Sequence, residues 1–439
     1  MAILFQRFGP YHHARLNAAG RRLTVWGVEA CAMEDTYAWA KVEGAAAFTR
    51  VTLTDRDTGD RQWRQTLHRN LWRALDEIKP QVVAVPGWSY ADALSALLWC
   101  AQTGTPSVVM SESTDWDEQR IASKEWIKGR LVRLNSAGLA GGSPHQDYLA
   151  QLGLPRERVF PGYDAVDNDY FATKANEARG QKTEVRKRLG LPENYFLASA
   201  RFVEKKNLPR LLRAYAQYRK KAETLKIENR TTDHRLGTAD QKVETGNAEN
   251  QPPASGLRSQ VSGLKFPVSE PWDLVLLGDG PLRSSIFELL SSLGLENCVH
   301  LPGFKQYDEL PAYFGLAGAF IHASTTEQWG LVVNEAMASG LPVLVSHRCG
   351  CAENLVSPGV NGFQFDPANV EEMAQLLARV ADARFPLADF GAASTRIIAE
   401  WGPERFATGL CDAVAVALKH PRPRAGLIDR LLLQLLLRR

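Results

Sequence analysis

Short apolar runs alternate with longer amphipathic stretches along most of this chain. Residues 23–28 form a run of strand length, and 71–78 repeat apolar positions at helical spacing. Residues 81–85 then read as a buried strand closed by Pro86-Gly87, followed by a helix over 91–100 and a strand over 106–110. This alternation predicts a parallel sheet with helices on both faces. The turn formers crowded into 159–171 predict an interdomain linker. A second alternating series follows, with strands at 196–199, 274–277, 299, 319–322 and 342–346. Its helices are expected at 209–220, 282–293 and 331–339.

The rhythm breaks over 221–270, a polar stretch with few large apolar residues. A loop that long is uncommon inside a compact domain, so a disordered insertion is expected there. The chain therefore reads as a first domain over 1–170 and a second over 171–400. A segment at 401–418 crosses back to the first domain, and 419–439 forms a basic, leucine-rich tail.

Length and composition are compatible with this picture. The 439 residues suffice for two sizeable cores, and the net charge of +3 gives no general reason to expect a nucleic-acid partner. The six cysteines are scattered, mostly in apolar stretches, which suggests buried thiols in a reducing compartment. Cys349 and Cys351 lack a second pair or histidine cluster, so no metal site is expected. Met1 to Gly9 lacks the pattern of a secretory signal, and no apolar run reaches membrane-spanning length. The tail from Arg422 to Arg439 sets leucines between arginines. It reads equally as a helix lying on an anionic membrane and as one packed on protein. Together these features lead to an expected location in the cytoplasm or at the inner face of the membrane.

Candidate chemistry concentrates in the second half. Glu327 and Glu335 lie eight positions apart in Glu-x2-Gly-x4-Glu-Ala-Met-Ala-x-Gly-x-Pro-Val, ending at Val343. Gly330, Leu331 and Val332 fall where a helix would start, and free N–H groups there suit an anion. Arg201 and Lys206 sit in a turn between a strand and a helix; a guanidinium and an ammonium so placed can grip phosphate oxygens. Gly278-Asp279-Gly280-Pro281 forms a tight turn after a strand, and glycines there allow a ligand to approach the backbone. His300-Leu301-Pro302-Gly303-Phe304 follows.

These motifs, in this order over 195–418, resemble those of the retaining glycosyltransferases of family four, which have the GT-B fold. The resemblance implies two Rossmann-like domains facing a cleft and transfer of a sugar from a nucleotide-sugar donor. It implies that Arg201 and Lys206 stabilise the leaving diphosphate, that Glu327 stabilises the reacting sugar, and that Glu335 accepts from ribose hydroxyls. Gly330, Leu331, Val332, Gly280 and Phe304 complete the donor site, with Phe304 near the base. The implied mechanism is same-face attack, in which the leaving phosphate takes the acceptor's proton. No cofactor or metal is expected. The implied acceptor is a glycan or a lipid-linked molecule, and relatives suggest cell-surface or exopolysaccharide assembly.

The first half matches only as a general Rossmann-like domain. Its first loop, Phe8-Gly9-Pro10-Tyr11-His12-His13, has one glycine where the family usually has several. Gly9 and His12 are candidates for the cleft, as are Glu112 and Ser113 after the 106–110 strand and His145 in Gly141-Gly142-Ser143-Pro144-His145. Each also has a plain capping role available. Ser113 stands where the family often has a histidine, which leaves the sugar contacts open. A sugar-nucleotide epimerase on the same fold and a non-catalytic sugar-nucleotide-binding scaffold remain alternatives. A nicotinamide-dependent oxidoreductase fits poorly, because no Gly-x-Gly-x-x-Gly follows the first strand.

Overall fold

The computed structural model describes residues 1–33, 42, 44, 46–237, 270–420 and 425–438. The first domain is a seven-stranded parallel sheet of order β3-β2-β1-β4-β5-β6-β7. Its strands are β1 Ala2–Phe5, β2 Trp26–Glu29, β3 Thr49–Thr52, β4 Val83–Pro86, β5 Ser107–Ser111, β6 Ala137–Ala140 and β7 Val159–Pro161. The second sheet has six parallel strands in the order β10-β9-β8-β11-β12-β13. These are β8 Tyr195–Ser199, β9 Asp273–Leu277, β10 Val299–Gly303, β11 Ala319–His322, β12 Val343–Ser346 and β13 Gly362–Phe365.

Both sheets reverse direction of winding beside their first strand, between β1 and β4 and between β8 and β11. Loops leaving such a switch point diverge and open a crevice at the strands' carboxyl ends. That rule places the Gly9 loop, the Arg201–Lys206 turn and the Glu327 loop at crevices. Apolar clusters cover both faces of each sheet, so central strands such as Val83–Pro86 and Ala319–His322 are apolar throughout rather than alternating.

Three expectations need correction. The stretch 159–171 is not simply a linker: Val159–Pro161 is an edge strand paired with β6, and helix Asn168–Gly180 begins soon after. An edge tolerates Pro161, which has no N–H to donate. The helix expected to stop near 220 runs as Leu208–Gly237, so the first part of the supposed insertion is helical. Its Lys, Ala, Glu and Leu residues favour that state. Residues 238–269 of that expectation lie outside the described residues.

Helix Pro403–Lys419 packs on the first sheet, where Phe406, Leu410, Ala413 and Ala417 join Ile3, Phe5, Val108 and Leu139 in one core. Helix Leu427–Leu437 then lies on helix Ala91–Thr103. Leu433 is fully buried there among Leu94, Leu97 and Leu98, worth about 2 kcal/mol for such a side chain. Asp429 turns inward to accept from Arg130 Nε at 2.7 Å. No helix among the described residues is long and apolar enough to cross a membrane.

Candidate active site

Lys206 and Glu327 meet at the carboxyl ends of the two central strands of the second sheet. The ammonium of Lys206 bonds Glu327 Oε2 directly. The same oxygen lies 3.3 Å from His322 Nε2 and 3.3 Å from Ser324 Oγ. Burial opposes ionisation of Glu327, yet the adjacent Lys206 ammonium and the His322 bond hold its carboxyl well below the usual range. His322 is buried, which lowers its pKa, so near neutral pH it is an uncharged donor. His322 and Ser324 were not among the residues singled out from the sequence.

Local backbone fixes this cluster. Asn207 adopts a left-handed conformation (φ 59°) after a short 3-10 turn, and its Nδ2 donates to Ala323 and Pro367 carbonyls at 2.9 and 2.8 Å. Thr325 N–H donates to the Lys205 carbonyl at 2.9 Å, tying the two loops together. Gly330, with φ 104°, needs the freedom of glycine to turn the chain into helix Leu331–Ala338. Leu331 and Val332 open that helix, where first-turn N–H groups lack intrahelical acceptors. Arg201 is exposed on the Lys206 turn, and Phe304 is exposed after β10.

The glycines at 278 and 280 have a different task from the one expected. A Cβ on Gly278 would lie 1.9 Å from the Ala200 carbonyl oxygen, and one on Gly280 would lie 2.8 Å from that of Phe202. Both have positive φ, 124° and 152°. They let the Gly278–Leu282 turn press against the backbone of the Arg201 loop, with Phe202 N–H donating to Asp279 at 2.8 Å. Their close approach is to protein, so they position Arg201 from behind. Gly278→Ala is expected to destabilise the second domain by about 2–4 kcal/mol, since backbone must move. Thermal melting checks this, and an unchanged melting temperature contradicts it.

Across the cleft, the first domain contributes Glu112, Arg15 and Asp164. Arg15 Nη2 lies 3.8 Å from Asp164 Oδ1, and Arg15 Nε donates to the Ala165 carbonyl. Burial raises the carboxyls of both Glu112 and Asp164 against the pull of Arg15, with added repulsion from Glu327 at Glu112 and from Glu112 at Asp164. Glu112 is thus held within electrostatic reach of Glu327 and Lys205 in the cleft. Ser113 is half-buried, and its N–H donates to Ser111 Oγ at 3.2 Å. Gly9 caps helix Pro10–Gly20 in extended conformation, and a Cβ there would meet only His12 at 3.8 Å.

The two candidate cleft histidines take the capping role that the sequence also offered them. His12 Nδ1 accepts from Gly9 N–H at 3.1 Å, which leaves its proton on Nε2. Burial and nearby Arg15 and Arg7 bring its pKa down to about 3, so it stays neutral. His145 is fully buried. Its Nδ1 accepts from Gly142 N–H, and its Nε2 donates to the Gln328 carbonyl at 2.8 Å. It braces the first domain against the Glu327 loop and is not a substrate contact in this arrangement. Gly350 makes that bracing possible: a Cβ there would lie 2.7 Å from His145 Nε2.

Glu335 is buried, with its Oε1 accepting from the Tyr11 hydroxyl at 2.5 Å. Burial raises its pKa to about 8, although the Tyr11 bond opposes this. Tyr11 comes from the first domain, 324 positions away, and no local pattern marked it.

Residues 260–395 match the family model described as glycosyl transferases group 1. Over that segment the chain is similar to the group 1 glycosyl transferases. The matched segment holds Gly280, Phe304, Glu327, Gly330 and Glu335, and the fold brings Arg201 and Lys206 to it from outside. Alpha-D-kanosaminyltransferase of Streptomyces kanamyceticus is 31% identical over 108 residues, 25% of this chain and 28% of that protein. A GDP-mannose-dependent alpha-(1-6)-phosphatidylinositol monomannoside mannosyltransferase of Mycobacterium tuberculosis is 30% identical over 147 residues, 32% of this chain and 38% of that one. The chain thus spans well under half the length of these curated relatives. Among solved structures, Anabaena HepE in complex with UDP and glucose superposes with a TM-score of 0.64 at 18% identity. That superposition covers 94% of this chain and 98% of the other. The fold is GT-B, with two parallel-sheet domains.

Proposed function

We propose that this chain transfers a hexosyl-type sugar from a nucleotide-sugar donor to a glycan or lipid-linked acceptor, with retention of configuration. The observation that carries the reading is the Lys206–Glu327–His322 cluster beside the Gly330 helix start. An ionised carboxylate, the Lys206 ammonium and first-turn helix N–H groups converge there, as stabilisation of an oxocarbenium-like sugar and a departing diphosphate requires. Lys206 exchanges its bond to Glu327 for a phosphate oxygen when donor arrives. Arg201 grips the same diphosphate, and the leaving oxygen accepts the acceptor's proton as the new glycosidic bond forms. Glu112, across the cleft, orients the acceptor hydroxyl. In this reading the two cations and the helix terminus meet the leaving charge, and no resident cofactor is called for. The acceptor side fits assembly of a cell-surface glycan at the cytoplasmic face of a membrane.

Incubation with UDP-, GDP- and ADP-sugars, reading free nucleotide, tests the proposal. Release from one donor supports it and names the base. Absence of release, together with no thermal stabilisation by any donor or free nucleotide, overturns it.

Helix Leu427–Leu437 supports a membrane-facing role. Leu427, Ile428, Leu431 and Leu435 are exposed on it, flanked by exposed Arg430 and Arg438. The helix's single carboxylate, Asp429, is turned inward to Arg130. An apolar face edged only by cations suits anionic lipid. Co-sedimentation with phosphatidylglycerol-containing vesicles is expected for wild type and reduced at least fivefold by L427S/L431S/L435S. Equal sedimentation of both proteins contradicts it.

A further inference from the structure

Glu335 is 0% exposed, so no ligand hydroxyl reaches it unless a neighbour moves. Its Oε2 has no hydrogen-bond partner, and its Oε1 is taken by the Tyr11 hydroxyl. Tyr11 is held at the edge of an aromatic group: its ring meets Tyr307 edge-on at 5.7 Å, and Tyr307 stacks on Tyr170 at 4.9 Å. Beside these rings a cavity of about 850 Å³ is lined by Pro10, Ala14, Tyr170, Tyr307 and Ala338, among others. Pro10, next to Tyr11 in the chain, and Tyr307, which the Tyr11 ring meets edge-on, both line that cavity. Gly9, two residues earlier, is in an unstrained extended conformation, and a Cβ there would meet only His12 at 3.8 Å.

We infer that Tyr11 occupies the seat on Glu335 that a donor's ribose diol takes, so that nucleotide binding exchanges one hydroxyl partner for another. The inference rests on the proposed reading of Glu335 as a ribose contact. A buried carboxyl group with one unpartnered oxygen gains from a second hydroxyl, and a vicinal diol supplies two where Tyr11 supplies one. The exchange also links the domains, because Tyr11 belongs to the first and Glu335 to the second. A filled donor site releases the Gly9–Tyr11 segment from the second domain, and an empty one holds it. Tyr11 is a positioning residue here, acting through Glu335.

Titration calorimetry with UDP, GDP and ADP on wild type, Tyr11→Phe and Glu335→Ala tests this. Phenylalanine keeps the ring contact with Tyr307 and removes only the competing hydroxyl. The favoured nucleotide should bind Tyr11→Phe about fivefold more tightly than wild type, on the order of one hydrogen bond. It should bind Glu335→Ala more weakly. A Tyr11→Phe affinity equal to or weaker than wild type, while Glu335→Ala is weakened, overturns the exchange and leaves Glu335 as a ribose contact. A Glu335→Ala affinity equal to wild type overturns the ribose reading itself. Comparison of 2′,3′-dideoxynucleotide with nucleotide on the Tyr11→Phe protein gives a second readout: only the diol form should benefit from the substitution.

Discussion

Lys206→Ala is expected to reduce sugar transfer by about 10²–10³-fold, the usual consequence of removing one preorganised electrostatic partner of a transition state. Two effects add. The leaving diphosphate loses an ammonium, and Glu327 loses the charge that holds it ionised. With Lys206 gone, burial dominates at Glu327 and its carboxyl rises toward and beyond the ordinary range. Residual activity should then fall on mild acidification, where wild type does not respond. The stability effect has a definite sign. A depressed folded-state pKa contributes stability that is present above the unfolded value and lost as pH falls through the folded one. Wild type should therefore be more stable than Lys206→Ala at pH 7, and the gap should narrow below about pH 4, where the unfolded carboxyl protonates. Rate measurements from about pH 4 to 8 and melting curves from about pH 2 to 8 check both parts. A variant retaining more than a third of wild-type activity contradicts the role assigned to Lys206.

Glu335→Gln should change the pH dependence of stability more than its value at low pH. The folded-state pKa of Glu335 is raised from 4.5 to about 8 by burial. Between those values the folded protein holds a proton that the unfolded chain has released. Stability therefore declines as pH rises through this window, by at most about 1.4 kcal/mol per pH unit for this group, and levels off above it. Glutamine keeps an acceptor for Tyr11 and cannot ionise. The variant should melt several degrees above wild type at pH 9 and close to it at pH 5. Parallel melting curves across this range contradict the assignment.

The two parallel-sheet domains were legible because their strands are written locally. Strand runs such as 82–85 and 319–321 are continuously apolar, as buried parallel strands must be. Gly330 and the carboxylates around it form one contiguous segment whose turn demands glycine. What was not legible depends on distant packing. His322 reads as the end of a strand until Glu327 folds over it. Tyr11 gains its role only when the second domain supplies Glu335. Gly278 and Gly280 look the same in sequence whether a ligand or a neighbouring loop approaches them; only the Ala200 and Phe202 carbonyls decide. His145 looks like a cleft residue because it follows two glycines, yet those glycines serve domain contact. The helix past residue 220 was hidden by its polarity, since its sequence there carries no clear apolar stripe at helical spacing.

The central claim is that Glu327 acts on the reacting sugar, not on the nucleotide. With the donor base identified, steady-state turnover and nucleotide affinity of Glu327→Gln against wild type test it most directly. Glutamine preserves the shape of the side chain and removes the charge. The account predicts that kcat falls at least 100-fold while the dissociation constant for the free nucleoside diphosphate changes by less than about threefold. A kcat within threefold of wild type, or a loss confined to nucleotide affinity, would contradict it and move Glu327 from the reacting centre to a structural partner of Lys206.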